Sequence, residues 1–128
     1  MRMVVIFCHG AGDTGFGAQR WVESLSSKLV IFQWEYPSAR PIPYGLAGGD
    51  VMSVWYDRTG DSFDPLNHEH TQSIDASVEQ IENIVKSHEE KGVPRNMIAV
   101  GGFSMGGGIG LHAAARIPGL AAVFALSS

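Results

Sequence analysis

A serine with glycine two positions away on either side, Gly102-Phe103-Ser104-Met105-Gly106, constrains this 128-residue chain more than any other stretch. It follows the apolar run Met97-Ile98-Ala99-Val100 and precedes an alanine-rich segment, so it reads as strand, sharp turn and helix. A serine hydroxyl is a poor nucleophile at neutral pH and must be held where a base can reach it. A tight strand-to-helix turn achieves this by forcing the serine backbone into a conformation that costs on the order of 1–3 kcal/mol. Side chains at 102 and 106 would collide across such a turn, hence the glycines. Gly106, Gly107, Gly108 and Gly110 then fall in a helix expected to run to about Arg116. Each costs up to about 1 kcal/mol in a helix interior, and close approach of that helix to a sheet is the expected compensation.

The rest of the chain supplies the sheet. Met3 to Cys8, Met97 to Val100 and Leu120 to Leu126 are continuous apolar runs, the pattern of parallel strands buried on both faces. Val30 to Trp34 reads as a weaker strand nearer an edge. The clearest helix runs from about Gln72 to Lys91, with Ile74, Val78, Ile81, Ile84 and Val85 on one face and His88 packed beside them. Gly92 and Pro94 stop it.

Composition narrows the classes. A net charge of −4 argues against nucleic acid or an anionic membrane surface as an obligatory partner. No secretory signal is visible, and Leu120 to Leu126 is too short to cross a bilayer, so no integral membrane segment is expected. Cys8 is the only cysteine, which fits a reducing compartment and a thiol packed in a strand end.

A second glycine cluster, Gly10-Ala11-Gly12-Asp13-Thr14-Gly15, follows the first strand, and Glu35 lies near the end of the next. Gly10, Gly12, Gly15 and Glu35 match the dinucleotide-binding fingerprint, in which the acid meets a ribose hydroxyl. A Rossmann-type module is therefore the rival reading. Against it, Phe16-Gly17 are expected to prolong the loop, with the helical pattern of Trp21, Val22, Leu25 and Leu29 starting only near Ala18. A Rossmann reading also leaves Ser104 without a role.

The serine turn resembles the nucleophile elbow of the α/β-hydrolases, a three-layer fold with a mainly parallel sheet and helices on both faces. In that fold a His-Gly turn after a central strand carries the second oxyanion donor. The resemblance thus implies that the backbone N–H groups of Ala11 and Met105 bind the oxyanion, with His9 in a structural role. His9 to Gly15, Tyr36-Pro37, Trp55-Tyr56-Asp57, Gly101 to Gly107 and Val123 to Ser128 also fall in the order seen in one family. They look like the acyl-protein thioesterases and lysophospholipase-like carboxylesterases, and Met105 is more similar to the lysophospholipase-like branch. The resemblance implies a cytoplasmic serine hydrolase of carboxylic esters or thioesters, such as S-acylated proteins and lysophospholipids, with Ser104 as nucleophile and no metal or organic cofactor.

Departures from that pattern are equally informative. The fold orders its triad serine, acid, histidine, yet no Asp or Glu follows Ser104, and the sole later histidine is His112, expected to point away from the serine. Residues 1–128 therefore read as a single partial domain, ending after the strand that follows the elbow helix and lacking the catalytic acid and base. As given, the chain is expected to be an inactive fragment or a non-catalytic truncated binding product, prone to self-association through an exposed sheet edge. The long connection from Pro37 to Asn67 carries Met52, Val54, Trp55, Tyr56 and Phe63, enough apolar surface to cover the site; Trp55, Tyr56 and Met52 are the expected acyl-chain contacts. His68-Glu69-His70 reads as a solvated helix entry, with no metal expected.

Overall fold

A computed structural model of the chain describes residues 1–59 and 71–127. Four strands form a parallel sheet in the order β2 (Gln33–Glu35), β1 (Val4–Cys8), β5 (Ile98–Phe103), β6 (Ala122–Leu126). A small antiparallel hairpin, β3 (Pro41–Pro43) with β4 (Val51–Ser53), occupies part of the long connection. The helices are α1 (Gly15–Leu25), α2 (Thr71–Glu90) and α3 (Met105–Arg116).

The expected three layers are present, and β1 explains them. Successive side chains of a strand face opposite sides, so Val4, Ile6 and Cys8 enter one cluster while Phe7 enters another. The larger cluster joins those residues to Ile74, Val78, Ile81 and Val85 of α2, Ile98 and Val100 of β5, and Ile109 and Ala113 of α3. The smaller one packs Phe7 on Ala18 and Val22 of α1, with Trp34, Tyr36 and Phe124 around it. Phe7 is its hub, with the rings of Trp21, Trp34, Tyr36 and Phe124 centred 6.0 to 6.3 Å away. Such aromatic pairs add roughly 0.5–1.5 kcal/mol beyond their area.

Three expectations need correction. Val30 to Trp34 is not one strand: Ser26 accepts from the Lys28 N–H, residues Ser27–Ile31 close a 3₁₀ turn, and pairing with β1 begins only at Gln33. Val30 and Ile31 are exposed, so local capping outweighed their β-branched preference. Helix α1 starts at Gly15 rather than near Ala18, because the Thr14 side chain caps it by accepting from the Gly17 N–H at 3.0 Å. Finally, β6 is apolar but not buried: Val123 and Leu126 are 40% and 41% exposed, since β6 is the outer strand of the described sheet. His68-Glu69-His70 and Phe63 lie outside the described residues.

Candidate active site

The turn at Ser104 has the strained form its sequence implies. Ser104 has φ 55° and ψ −119°, a conformation that residues with a Cβ seldom adopt, and it caps α3 immediately after β5. Crowding makes the flanking glycines obligatory. A Cβ on Gly102 would land on the Cys8 carbonyl and 2.6 Å from the Gly106 carbonyl carbon, and one on Gly106 would strike that same Cys8 carbonyl. Farther along α3, a Cβ on Gly110 would stand 3.1 Å from the Gly101 Cα, the close helix-to-sheet approach expected from the glycine run. Leu126 at the end of β6 accepts the Ser104 N–H at 2.8 Å, so the outer strand fixes the serine backbone.

The second glycine cluster lies beside this turn. The Cβ position of Gly10 is 3.7 Å from the Ser104 Cβ, which brings the end of β1 against the serine turn. Ala11 is exposed at the tip, Gly12 has φ 79°, and the Asp13 N–H bonds back to the Gly10 carbonyl at 3.2 Å. Several bonds anchor the loop. Gly12 N–H donates to the Ser53 carbonyl at 2.8 Å and Gly15 N–H to Ser38 Oγ at 2.9 Å. Trp55 Nε1–H donates to the His9 carbonyl at 2.8 Å, and Ser77 Oγ of α2 donates to the Trp55 carbonyl.

His9 is a structural member of this network. It is 1% exposed, lies tilted against the Trp55 ring at 5.1 Å, and receives the Ala39 N–H on Nε2 at 2.9 Å. Nε2 must then be unprotonated, which places the proton on Nδ1, donating to the Gly10 carbonyl at 2.6 Å. Burial lowers the His9 pKa below its ordinary value, outweighing the opposite pull of the Gly10 carbonyl and Asp13. With both nitrogens committed and the ring neutral, His9 cannot serve Ser104. Cys8, beside it, has its pKa pushed up to about 12 by burial and stays a thiol.

A cleft of about 630 Å³ opens over Ser104, lined by Ala11, Met105, Tyr56, Arg58, Leu111 and His112 among others. Ala11, Ser104, Met105 and Tyr56 thus line one space. Trp55 does not reach it: fully buried, it props up the loop under His9, so its expected contact with substrate gives way to a scaffolding one. Met52 is half-buried with its methyl packed against Gly12, behind the loop rather than in the cleft. His112 faces the cleft, contrary to the expectation that it points away, with its ring 6.1 Å from that of Tyr56. Sequence reasoning missed Tyr44 and Arg58 as lining residues; their only signal was position, Arg58 directly after Trp55-Tyr56-Asp57.

The fingerprint residues have other employment. A Cβ on Gly15 would strike the Tyr36 carbonyl, so glycine there answers to packing, and Glu35 is bonded to Nε2 of the buried His88. Among the described residues no group of three or more His, Cys, Asp or Glu could hold a metal ion, and no helix is long and apolar enough to cross a membrane.

Comparison with known proteins adds the following. The phospholipase/carboxylesterase family matches residues 1–128. The chain is similar to lysophospholipase-like protein 1 of Mus musculus, with 35% identity over 127 residues, covering 96% of this chain and 52% of that protein. It is 34% identical over 126 residues to acyl-protein thioesterase 1 of Cryptococcus neoformans, covering 97% of this chain and 53% of that protein. Among solved structures, SOBER1 of Arabidopsis thaliana superposes with a TM-score of 0.78 at 25% identity, over 88% of this chain and 54% of that one. The chain spans about half the length of the curated relatives it matches.

Proposed function

The chain belongs to the phospholipase/carboxylesterase family of α/β-hydrolases, and on that premise we propose that Ser104 is the nucleophile of a serine esterase or thioesterase. The observation that carries this reading is the Ser104 backbone, held at φ 55° between a strand and a helix whose nearest glycines admit no Cβ, with the serine lining the cleft. Strain of that kind persists only where the surroundings impose it, and it gathers at reactive sites.

In the proposed reaction Ser104 Oγ attacks the carbonyl carbon of the ester or thioester while a base removes its proton. The carbonyl oxygen takes up the negative charge and receives hydrogen bonds from the N–H groups of Ala11 and Met105; each such donor is worth roughly 3–4 kcal/mol in comparable enzymes. The C–O or C–S bond then breaks, the alcohol or thiol leaves with the proton, and an acyl-serine remains. Water, deprotonated by the same base, attacks it, releasing the carboxylic acid and restoring Ser104.

Among the described residues, neither His9 nor His112 fits the role of base. His9 is committed on both nitrogens. His112 is eight residues along α3 from Ser104, a backbone rise of roughly 12 Å at 1.5 Å per residue, and its ring meets that of Tyr56 edge-on. No carboxylate follows Ser104 in the 128 residues. We therefore assign base and acid to sequence outside these residues and expect the 128 alone, a partial domain, to hydrolyse esters near the background rate. Substrates drawn from the relatives' names are S-acylated proteins and lysophospholipids, met in the cytoplasm, with Tyr56 against the acyl chain and Met52 supporting the loop. The open side of β6 is proposed as a surface for self-association.

The test uses the complete protein containing these residues. Ser104→Ala should abolish labelling by a fluorophosphonate probe and hydrolysis of a short-chain nitrophenyl ester, with an unchanged circular-dichroism spectrum. Normal turnover in that folded variant overturns the assignment.

A further inference from the structure

Six arginines occur in the chain, and five have a partner. Arg2 donates to the Val30 carbonyl, Arg40 to the Ala76 carbonyl, Arg95 pairs with Glu89, Arg116 with Asp75, and Arg20 lies over the Phe16 ring. Arg58 has none among the described residues, and it lines the cleft over Ser104. The neighbouring acid does not neutralise it: Asp57 Oδ1 accepts the Gly45 N–H at 2.8 Å. Its backbone is seated closely, since a Cβ on Gly45 would land on the Arg58 carbonyl.

No Asp or Glu lines that cleft among the described residues, and Arg58 is its one permanently charged side chain. In a chain of net charge −4, the space above the nucleophile is thus a local site for anions. A guanidinium presents five donors in a fixed fork that suits a carboxylate or phosphate, and it loses little on leaving water compared with an ammonium. The other described lining residues, among them Tyr44, Tyr56, Leu111 and His112, include no other Lys or Arg, so an anion entering there would find the guanidinium as its one permanent positive charge.

We propose that Arg58 is a specificity residue that binds an anionic group, carboxylate or phosphate, carried by the ester or thioester substrate. The proposal rests on the assignment of Ser104, because it supposes that the cleft holds the substrate. Charge on the acyl part and charge on the leaving group are the two sources of such an anion.

The experiment compares three chromogenic esters on the complete protein: 4-nitrophenyl butyrate, the 4-nitrophenyl monoester of glutaric acid, and 3-carboxy-4-nitrophenyl butyrate. At least one anionic ester should have a higher kcat/KM than the neutral one, and which of the two does so locates the anion on acyl or leaving group. Arg58→Gln should lower the anionic-to-neutral ratio of kcat/KM by about tenfold, mainly through KM, and Arg58→Lys should restore part of it. A wild-type preference for the neutral ester over both others, or a ratio unmoved by Arg58→Gln, overturns the proposal. Glutarate binding to the Ser104→Ala variant by calorimetry supplies a readout independent of turnover. Binding lost on adding Arg58→Gln supports the site, and binding unaffected by it, or absent from the outset, counts against it. Loss of the Ser104 assignment is recognised separately, by fluorophosphonate labelling that survives Ser104→Ala.

Discussion

Strands β5 and β6 lie side by side in parallel register and are both almost wholly apolar, yet their surroundings differ completely. Residues Ile98 to Gly102 of β5 are all buried, with β1 on one side, β6 on the other and α3 packed closely above. Along β6 only Phe124 is even partly buried. Sequence hydrophobicity is the same signal in both; what differs is the neighbours. A strand's own residues say that it can be buried, and the adjoining elements decide whether it is. The two strands nonetheless meet at the site, because the exposed β6 supplies the carbonyl that holds the Ser104 N–H.

The sharpest way to break this comparison is to make one small substitution on each side. Gly106→Ala places a methyl group against the Cys8 carbonyl, a backbone atom of a central strand that cannot turn aside. The expected cost is about 3 kcal/mol, the upper end for overpacking a site, read by urea unfolding of the complete protein. Val123→Thr, at a side chain 40% exposed, should cost less than about 0.5 kcal/mol in the 128-residue chain, as surface substitutions usually do. Comparable losses at the two positions would mean that neighbours do not set the difference.

An intermediate effect is expected at the open edge. Among the described residues no strand pairs with the outer side of β6, which carries Val123 and Leu126 partly exposed, the arrangement that templates strand-to-strand association. The 128-residue chain should therefore associate, and Val123→Lys, which puts a charge on that edge, should weaken association about tenfold by sedimentation. A wild-type chain that stays monomeric at high micromolar concentration refutes the edge as an adhesive surface.

These contrasts also separate what was legible in the sequence from what was not. The elbow was legible because steric conflict at 102 and 106 leaves glycine alone, and such local demands are written in residue identity. Long helical periodicity placed α2 within a residue or two of Thr71–Glu90. The start of α1 was missed since Thr14, a capping side chain, outweighed the helix-breaking look of Gly15 and Gly17. Trp55 was misjudged because an aromatic in a loop can face a ligand or brace the loop, and only the His9 carbonyl decides between them. Arg58 was invisible for a similar reason. An arginine becomes informative when its partners are known to be elsewhere, and that requires the fold.

The smallest expected effect tests the inner side through acid. His9 is buried and neutral in the folded chain, with its pKa below the ordinary 6.5, burial being the main cause. Once the chain unfolds, the imidazole returns to its ordinary value and takes up a proton that the folded state refuses. The unfolded state therefore binds more protons in the window below pH 6.5 and above the folded pKa, so stability falls as pH drops through that window. Above pH 6.5 the contribution is fully present. At pH 5.5, one unit below the unfolded value, the loss due to His9 is limited to about 1.4 kcal/mol. Unfolding free energies of wild type and His9→Gln, each at pH 7.5 and 5.5, isolate this share, because the other titrating groups are common to both. The variant should be less stable at pH 7.5, having disturbed the bonds to Ala39 and Gly10, yet lose about 1 kcal/mol less than wild type on acidification. If both proteins lose the same amount, His9 is protonated in the folded state. The bond it accepts from Ala39 would then be absent in solution, leaving the loop from Gly10 to Gly15 to the bonds made by Trp55, Ser53 and Ser38.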